Sequence, residues 1–154
     1  MAKHLFSFEP AVCSAISAVI ILGAIGCGGG PEPQSPAEAG LKAIYVMYGQ
    51  YAGQNRGKSP PDVEAFKKFV RSTNAEQLRS LNVNDVESLF ISPRDKQPYV
   101  IHYNAAVSVP GVGVPAGDSW LAYEETGQGG KKYILLSTGI IEEVDAVRFG
   151  EIVQ

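Results

Sequence analysis

The sequence predicts an α+β fold in which N-terminal helices pack on a small antiparallel sheet of three to four strands, followed by a short C-terminal helix. Apolar residues recur at three- and four-residue intervals in the first half of the chain, as on the buried face of a helix. From residue 99 onward, short runs rich in aromatic and β-branched residues alternate with turn-forming segments. Because these strands follow one another through short connections, antiparallel pairing is favoured.

The first 26 residues have the pattern of a secretory leader. Lys3 precedes an apolar run, Ala11 to Ile25, of about 15 residues, which is the size of a signal-peptide core. This run is shorter than the roughly 20 residues that a membrane-spanning helix needs. Ala24 and Gly26 are small residues, three and one before Cys27, and they leave an extended backbone that a peptidase can bind. The pattern predicts a signal peptide over residues 1–26, cleaved before Cys27.

The segment Ala24-Ile25-Gly26-Cys27 resembles the bacterial lipobox. The resemblance implies that Cys27 is diacylated through its sulfur with fatty acids such as palmitate, and that it becomes the first residue of a lipoprotein. It also implies a location in the bacterial cell envelope, anchored to a membrane on its extracytoplasmic side. The alternatives are an ordinary secretory signal with an incidental cysteine, or an uncleaved anchor.

The composition changes abruptly after Cys27. Glycine, proline and polar residues follow, without an apolar side chain able to enter a core, and they predict a flexible tether over residues 27–40. We place the folded domain at residues 41–154, although the helical pattern begins at Ala37. The mature portion, about 128 residues, suffices for one domain with a useful core.

Four helical segments are expected. The apolar spacing from Leu41 to Ala52 predicts the first helix, which the glycines at positions 53 and 57 weaken and end. For the second helix, Ser59 is the expected cap, Pro60 a first-turn residue and Asp62 a partner for the positive helix end. Its predicted buried stripe consists of Val63, Phe66, Phe69 and Val70. A short third segment is capped by Asn74, and the last helix, carrying Phe149, Ile152 and Val153, is capped by Asp145.

Four strands are expected in the second half of the chain. A turn with two prolines, Ser92 to Pro98, excludes continuation of a helix and leads into the first strand. Glycine-containing loops at residues 110–117 and 127–130 and the turn Thr138-Gly139 separate the following strands. The predicted strands are Tyr99 to Tyr103, Trp120 to Thr126, Tyr133 to Leu136 and Ile140 to Glu143.

Two short pieces of the chain are similar to bacterial pilin-like and type II secretion pseudopilin-like domains. Asp95, Pro98 and Tyr99 match the Asp-x-x-Gly-x-Pro-Tyr turn that begins the pseudopilin sheet, and residues 137–142 resemble a hairpin near the end of such domains. The resemblance extends over roughly residues 40–153 and implies a pilin-like fold in the envelope. Thr138 replaces the family's aspartate, and here the apolar segment precedes a lipobox, so filament assembly is not implied.

Charge and cysteine content exclude several classes of function. The formal net charge is −3 and stays so after loss of the leader, which gives no electrostatic attraction for phosphate backbones, so nucleic acid is not an expected partner. Cys13 leaves with the leader and Cys27 carries lipid, so no disulfide is expected. His102, the one histidine left after processing, should face solvent or a loop. We therefore predict no catalytic residue, no metal ligand and no cofactor.

Three groups of polar residues have a functional and a structural interpretation. Arg94 and Asp95 are expected to form the turn through side-chain to backbone bonds rather than to bind a ligand. Asp118, Glu124 and Glu125 are candidates for a calcium site, although no regular calcium loop is present. The tyrosines of the first helix, Tyr45, Tyr48 and Tyr51, are candidates for a sugar-stacking surface, but their spacing favours core packing.

These observations predict a lipid-anchored envelope protein that is not an enzyme and that acts as a binding or scaffolding module. Its expected partners are the membrane, through the lipid anchor, and an envelope protein. The alternatives are an accessory subunit of a secretion or pilus-like system, and a small calcium-dependent binder.

Overall fold

A computed structural model describes residues 35–103, 105–107 and 119–153. The predicted α+β class is confirmed: four helices precede a four-stranded antiparallel sheet, and a short helix follows it. The helices are α1 (Pro36–Gln54), α2 (Val63–Ser72), α3 (Ala75–Ser80), α4 (Val86–Leu89) and α5 (Ala146–Ile152). The strands are β1 (Tyr99–Ile101), β2 (Trp120–Glu124), β3 (Lys131–Leu136) and β4 (Ile141–Asp145).

Helix α1 begins five residues before the predicted domain boundary. The Ser35 hydroxyl accepts a hydrogen bond from the Glu38 backbone N–H, and the Glu38 carboxylate accepts one from the Ser35 N–H at 2.7 Å. This capping box, with Pro36 in the first turn, fixes the helix start. Ala37 is fully buried. The prediction of a tether reaching residue 40 is therefore wrong for residues 36–40, which belong to the folded unit.

Helix α2 is capped by Asp62 and not, as predicted, by Ser59. The Asp62 carboxylate accepts from the Ala65 N–H at 2.8 Å, while the Ser59 hydroxyl donates to the Ala105 carbonyl at 2.5 Å. The predicted buried stripe is confirmed at Phe66 and Val70. Phe69 is half-buried, and the prediction is wrong at Val63, which is 37% exposed. Val63 is the first residue of the helix.

The predicted caps of the third helix and of the C-terminal helix are confirmed. Asn74 accepts from the Glu76 N–H, and Asp145 accepts from the N–H groups of Val147 and Arg148. One further short helix, α4, is capped by Asp85, whose carboxylate accepts from the Ser88 N–H. Each cap supplies an acceptor for a backbone donor that has no partner within its helix.

The sheet is an antiparallel meander in the order β1-β2-β3-β4. β1 ends at Ile101, which pairs with Ala122 and lies two residues before the predicted end of the strand. β2 ends at Glu124, which pairs with the first residue of β1, Tyr99. β3 begins earlier than predicted, at Lys131, and β4 extends further, to Asp145. Lys131 and Asp145 are paired with each other, so the start of β3 and the end of β4 extend the sheet together.

Apolar side chains lie on both faces of the sheet. Helix α1 covers one face, where Ile44, Met47 and Leu135 are fully buried, and apolar residues of α2 and α4 belong to the same core cluster. Helix α5 packs on the other face, over Ile134 and Val144. Within the described residues, no helix has both the length and the apolar character needed to span a membrane.

Candidate functional site

The predicted turn at residues 92–98 is bound to the hairpin between β2 and β3 by the Asp95 carboxylate. This carboxylate accepts backbone hydrogen bonds from Gly127 at 2.8 Å, from Thr126 at 2.9 Å and from Gln97 at 3.1 Å. Gly127 has a φ of +73°, and a Cβ atom there would lie 2.1 Å from the Lys131 carbonyl oxygen, so only glycine fits. The prediction that Asp95 forms the turn through side-chain to backbone bonds is confirmed.

The Asp95 pKa is the net result of opposing effects. Partial burial by itself raises this pKa, but the hydrogen bonds from the backbone of Gly127, Thr126 and Gln97 and from Ser92 outweigh it, so the Asp95 pKa lies below its ordinary value. The folded state therefore stabilises the ionised carboxylate. A depressed folded-state pKa contributes stability above the pKa of the unfolded chain, and this contribution is lost as the pH falls through the folded-state pKa.

We expect the Asp95→Asn variant to be less stable than the wild type by about 1–2 kcal/mol at pH 7, since it loses hydrogen bonds to a charged acceptor. The difference should begin to shrink below about pH 4, where Asp95 of the unfolded chain binds a proton, and should be lost as the pH falls through the lower pKa of the folded state. Urea melts between pH 2.5 and 7 measure it. Asp145→Asn is the matched control, because asparagine caps a helix as well as aspartate. Equal stability of Asp95→Asn and wild type at pH 7 would contradict the assignment.

A buried ionic network adjoins Asp95. Glu124 is fully buried, and its two oxygens accept hydrogen bonds from the Ser92 hydroxyl at 2.8 Å and from the Tyr133 N–H at 2.9 Å. The Arg94 guanidinium lies with Nε 3.7 Å from Glu124, forms an ion pair with Glu143 at 2.9 Å and stacks 4.3 Å from the Tyr133 ring centre. Arg94 therefore connects the turn to β2, β3 and β4.

The calcium candidates are not brought together in the part of the chain that the structure describes. Both oxygens of Glu124 are already bonded to protein donors, Glu125 is exposed, and Asp118 lies outside the described residues. Across residues 35–103, 105–107 and 119–153, no group of three or more His, Cys, Asp or Glu side chains could hold a metal ion. The sequence analysis did not predict that Glu124 is buried. A signal for it was present, because residues two apart in a strand face the same side of the sheet, and Ala122 is buried.

The three tyrosines of α1 divide between two environments. Tyr48 is fully buried, and its hydroxyl donates to the carbonyls of His102 at 3.0 Å and Ala105 at 3.3 Å, so the prediction of core packing is confirmed there. Burial raises the Tyr48 pKa above its ordinary value, against the lowering effect of its hydrogen bonds. Tyr45 is half-buried and donates to the Thr138 carbonyl. Tyr51 packs edge-to-face on Phe69 and lines an open cleft.

His102 lies at the surface, as predicted. Its side chain is exposed, and its ring stacks on Trp120 with the ring centres 4.7 Å apart. Trp120 in turn contacts Tyr123, which contacts Phe149 of α5. The imidazole thus belongs to a row of aromatic rings on the sheet face that α5 covers.

Two surface cavities open at opposite ends of α1. A groove of about 320 Å³ lies at the N-terminal end, between residues 36–43 of α1 and the segment from Leu81 to Pro93. A polar cleft of about 720 Å³ lies at the C-terminal end and is lined by residues 54–59, Tyr51, Pro61 and Ala106. We call the latter the α1 cleft. Among the described residues, it carries the exposed basic side chains of Arg56 and Lys58.

Comparisons with protein families, with curated proteins and with solved structures found no match to this chain. The predicted lipid-bearing Cys27 and the cleavage-site residues Ala24 and Gly26 lie outside the described residues. The leader, the lipid anchor and the tether before residue 35 therefore stay predictions from sequence.

Proposed function

We propose that this protein is a lipid-anchored component of the bacterial envelope, in which Cys27 carries the lipid and the folded domain acts as a non-enzymatic binding or scaffolding module. The observation that carries the proposal is the sequence Ala24-Ile25-Gly26-Cys27, which resembles a lipobox, and the capped start of the folded domain follows it closely. The capping box at Ser35 lies eight residues after Cys27 in the sequence, and eight residues reach at most about 29 Å when extended. A domain tethered in this way stays close to the bilayer surface.

The roles of the charged residues support binding rather than catalysis. Asp95 and Glu124 are the shielded carboxylates at the predicted turn, and their oxygens accept the hydrogen bonds that hold this turn to β2 and β3. Arg94 is occupied by Glu143 and by the Tyr133 ring. Asp95, Glu124 and Arg94 therefore stabilise the folded domain. The exposed loops and clefts are the surfaces through which it would contact a partner.

Lipidation is tested by replacing each of the two cysteines of the chain in turn. We expect Cys27→Ser to lose incorporation of labelled palmitate, because the thiol that carries the acyl groups is absent. Cys13→Ser is the matched control and should behave as wild type, since residue 13 is removed with the leader. The intact mass of the mature protein gives its first residue and its acyl groups.

An unmodified Cys27 thiol in the mature protein would refute the lipid anchor. So would incorporation of labelled palmitate into Cys27→Ser at the level of the wild type. A cleaved product without lipid would indicate an ordinary secreted protein.

A second candidate function is an accessory subunit of a secretion or pilus-like system. The element order favours it, because a long helix followed by an antiparallel meander is the arrangement that the pseudopilin resemblance implies. Crosslinking in intact envelopes followed by mass spectrometry tests it, and crosslinks to secretion components are the expected result. The calcium-dependent alternative predicts a higher melting temperature in millimolar calcium than in magnesium.

A further inference from the structure

The α1 cleft holds polar groups that the fold leaves unused. Among the described residues, Arg56 and Lys58 form no ion pair, and the Gln54 side chain makes no hydrogen bond. All three are exposed and line the same cleft, beside the ring of Tyr51. The volume of the α1 cleft lies within the range of about 300–1,000 Å³ that is typical of small-molecule sites.

The backbone at Arg56 provides a second, independent observation. Arg56 has a φ of +58°, in the left-handed region where glycine is usual after a helix end. The end of α1 does not require an arginine, since the Tyr51 and Ala52 carbonyls already accept hydrogen bonds from the N–H groups of Asn55 and Gly57. Arg56 therefore keeps a cation exposed in the α1 cleft at a position where glycine would be less strained.

We propose that the α1 cleft binds a saccharide that carries a carboxylate. The planar Arg56 guanidinium can bind a carboxylate through two parallel hydrogen bonds, and Lys58 adds a second positive charge. The Gln54 amide offers a donor and an acceptor for sugar hydroxyls. Tyr51 presents an aromatic ring that is held edge-to-face by Phe69 at 5.3 Å, and such a ring packs on the apolar face of a pyranose.

This inference rests on the proposed function for its ligand source, because the bacterial envelope contains carboxylate-bearing sugars. Two sources share the chemistry: the lactyl-substituted sugar of peptidoglycan and the uronic acids of surface polysaccharides. N-acetylmuramic acid represents the first source and glucuronic acid the second. N-acetylglucosamine and glucose are their neutral counterparts.

The test is a titration of the isotope-labelled full chain in detergent micelles with these four sugars, followed by NMR. We expect saturable shifts at residues 51 and 54–59 with one or both acidic sugars and none with their neutral counterparts. Which acidic sugar binds identifies the source. Absence of saturable shifts with both acidic sugars, or equal binding of the neutral sugars, would overturn the proposal. Because the titration does not depend on membrane attachment, loss of the lipid anchor in the cysteine test leaves this result interpretable.

A substitution at Arg56 separates binding from folding. We expect Arg56→Gly to weaken binding of the acidic sugar by about tenfold or more, the effect of losing a charge-assisted hydrogen bond. Its melting temperature should stay the same or rise, because glycine adopts a positive φ without strain. Lys96→Gly is the matched control, since Lys96 also has a positive φ, of 62°, and loses the same charge outside the cleft. Equal affinities of the two variants would refute the role of Arg56.

Discussion

The Phe66→Ala variant is expected to lose about 3–5 kcal/mol of unfolding free energy, the cost of deleting a fully buried aromatic ring. Phe66 has no exposed surface, and its ring lies edge-to-face between Tyr48 of α1 and Phe90 after α4, with both ring-centre distances 5.5 Å. The deletion therefore removes the contact that joins three helical segments at once. Since small domains have total stabilities of about 5–15 kcal/mol, such a loss is a large fraction of the whole.

Urea melts measure this effect, and Val63→Ala on the same helix is the control. Val63 is 37% exposed, so its truncation should change the unfolding free energy by less than about 0.5 kcal/mol. Phe66→Leu keeps most of the apolar volume and gives a measurable intermediate loss if Phe66→Ala does not fold. Similar losses at positions 63 and 66 would show that the core is not centred on Phe66.

The contrast between Val63 and Phe66 shows how far local sequence patterns determine the fold. Helical spacing predicted both residues as buried, and it correctly identified α2, because apolar periodicity is a local signal. The cap of α2 was assigned to Ser59 rather than Asp62, since both residue types cap helices. The Ser59 hydroxyl is instead taken by the Ala105 carbonyl, 46 residues away in sequence. A hydrogen bond over that separation leaves no local pattern.

The polar network illustrates the same limit at the candidate sites. The sequence predicted that Asp95 forms a turn, because its neighbouring prolines and polar residues are a local turn signal. It did not predict that the carboxylate binds the backbone of Thr126 and Gly127, 31 and 32 residues away. As an acidic residue, Glu124 is also a candidate calcium ligand in the sequence. In the structure it is buried, since it pairs with Tyr99 of β1 and accepts a hydrogen bond from Tyr133 of β3. Side-chain partners across a sheet depend on register, which only tertiary packing fixes.

The second large effect is expected at Arg94. Arg94→Met removes the cation beside the fully buried Glu124 carboxylate, which would then lack a compensating charge. Loss of one partner of a buried pair typically costs about 3–5 kcal/mol. Arg94 also pairs with Glu143 and stacks on Tyr133, so the same change releases β4 from the turn. We expect a corresponding fall in the urea midpoint, with an unchanged slope if the unfolding stays two-state.

A double-mutant cycle distinguishes an unpaired charge from simple loss of packing. Glutamine at position 124 keeps the shape of the side chain and an acceptor for the Tyr133 N–H, but it carries no charge. We therefore expect Arg94→Met/Glu124→Gln to be more stable than Arg94→Met alone, with a coupling energy within the range of about 0.5–3 kcal/mol found for contacting residues. Arg71→Met, which breaks an exposed ion pair with Glu87, should stay within the error of the melts. Strict additivity in the cycle would contradict a charge interaction between Arg94 and Glu124. Arg94 would then stabilise the domain through its stacking on Tyr133 and its pairing with Glu143. The hydrogen bonds from Ser92 and the Tyr133 N–H would by themselves compensate the buried Glu124 carboxylate.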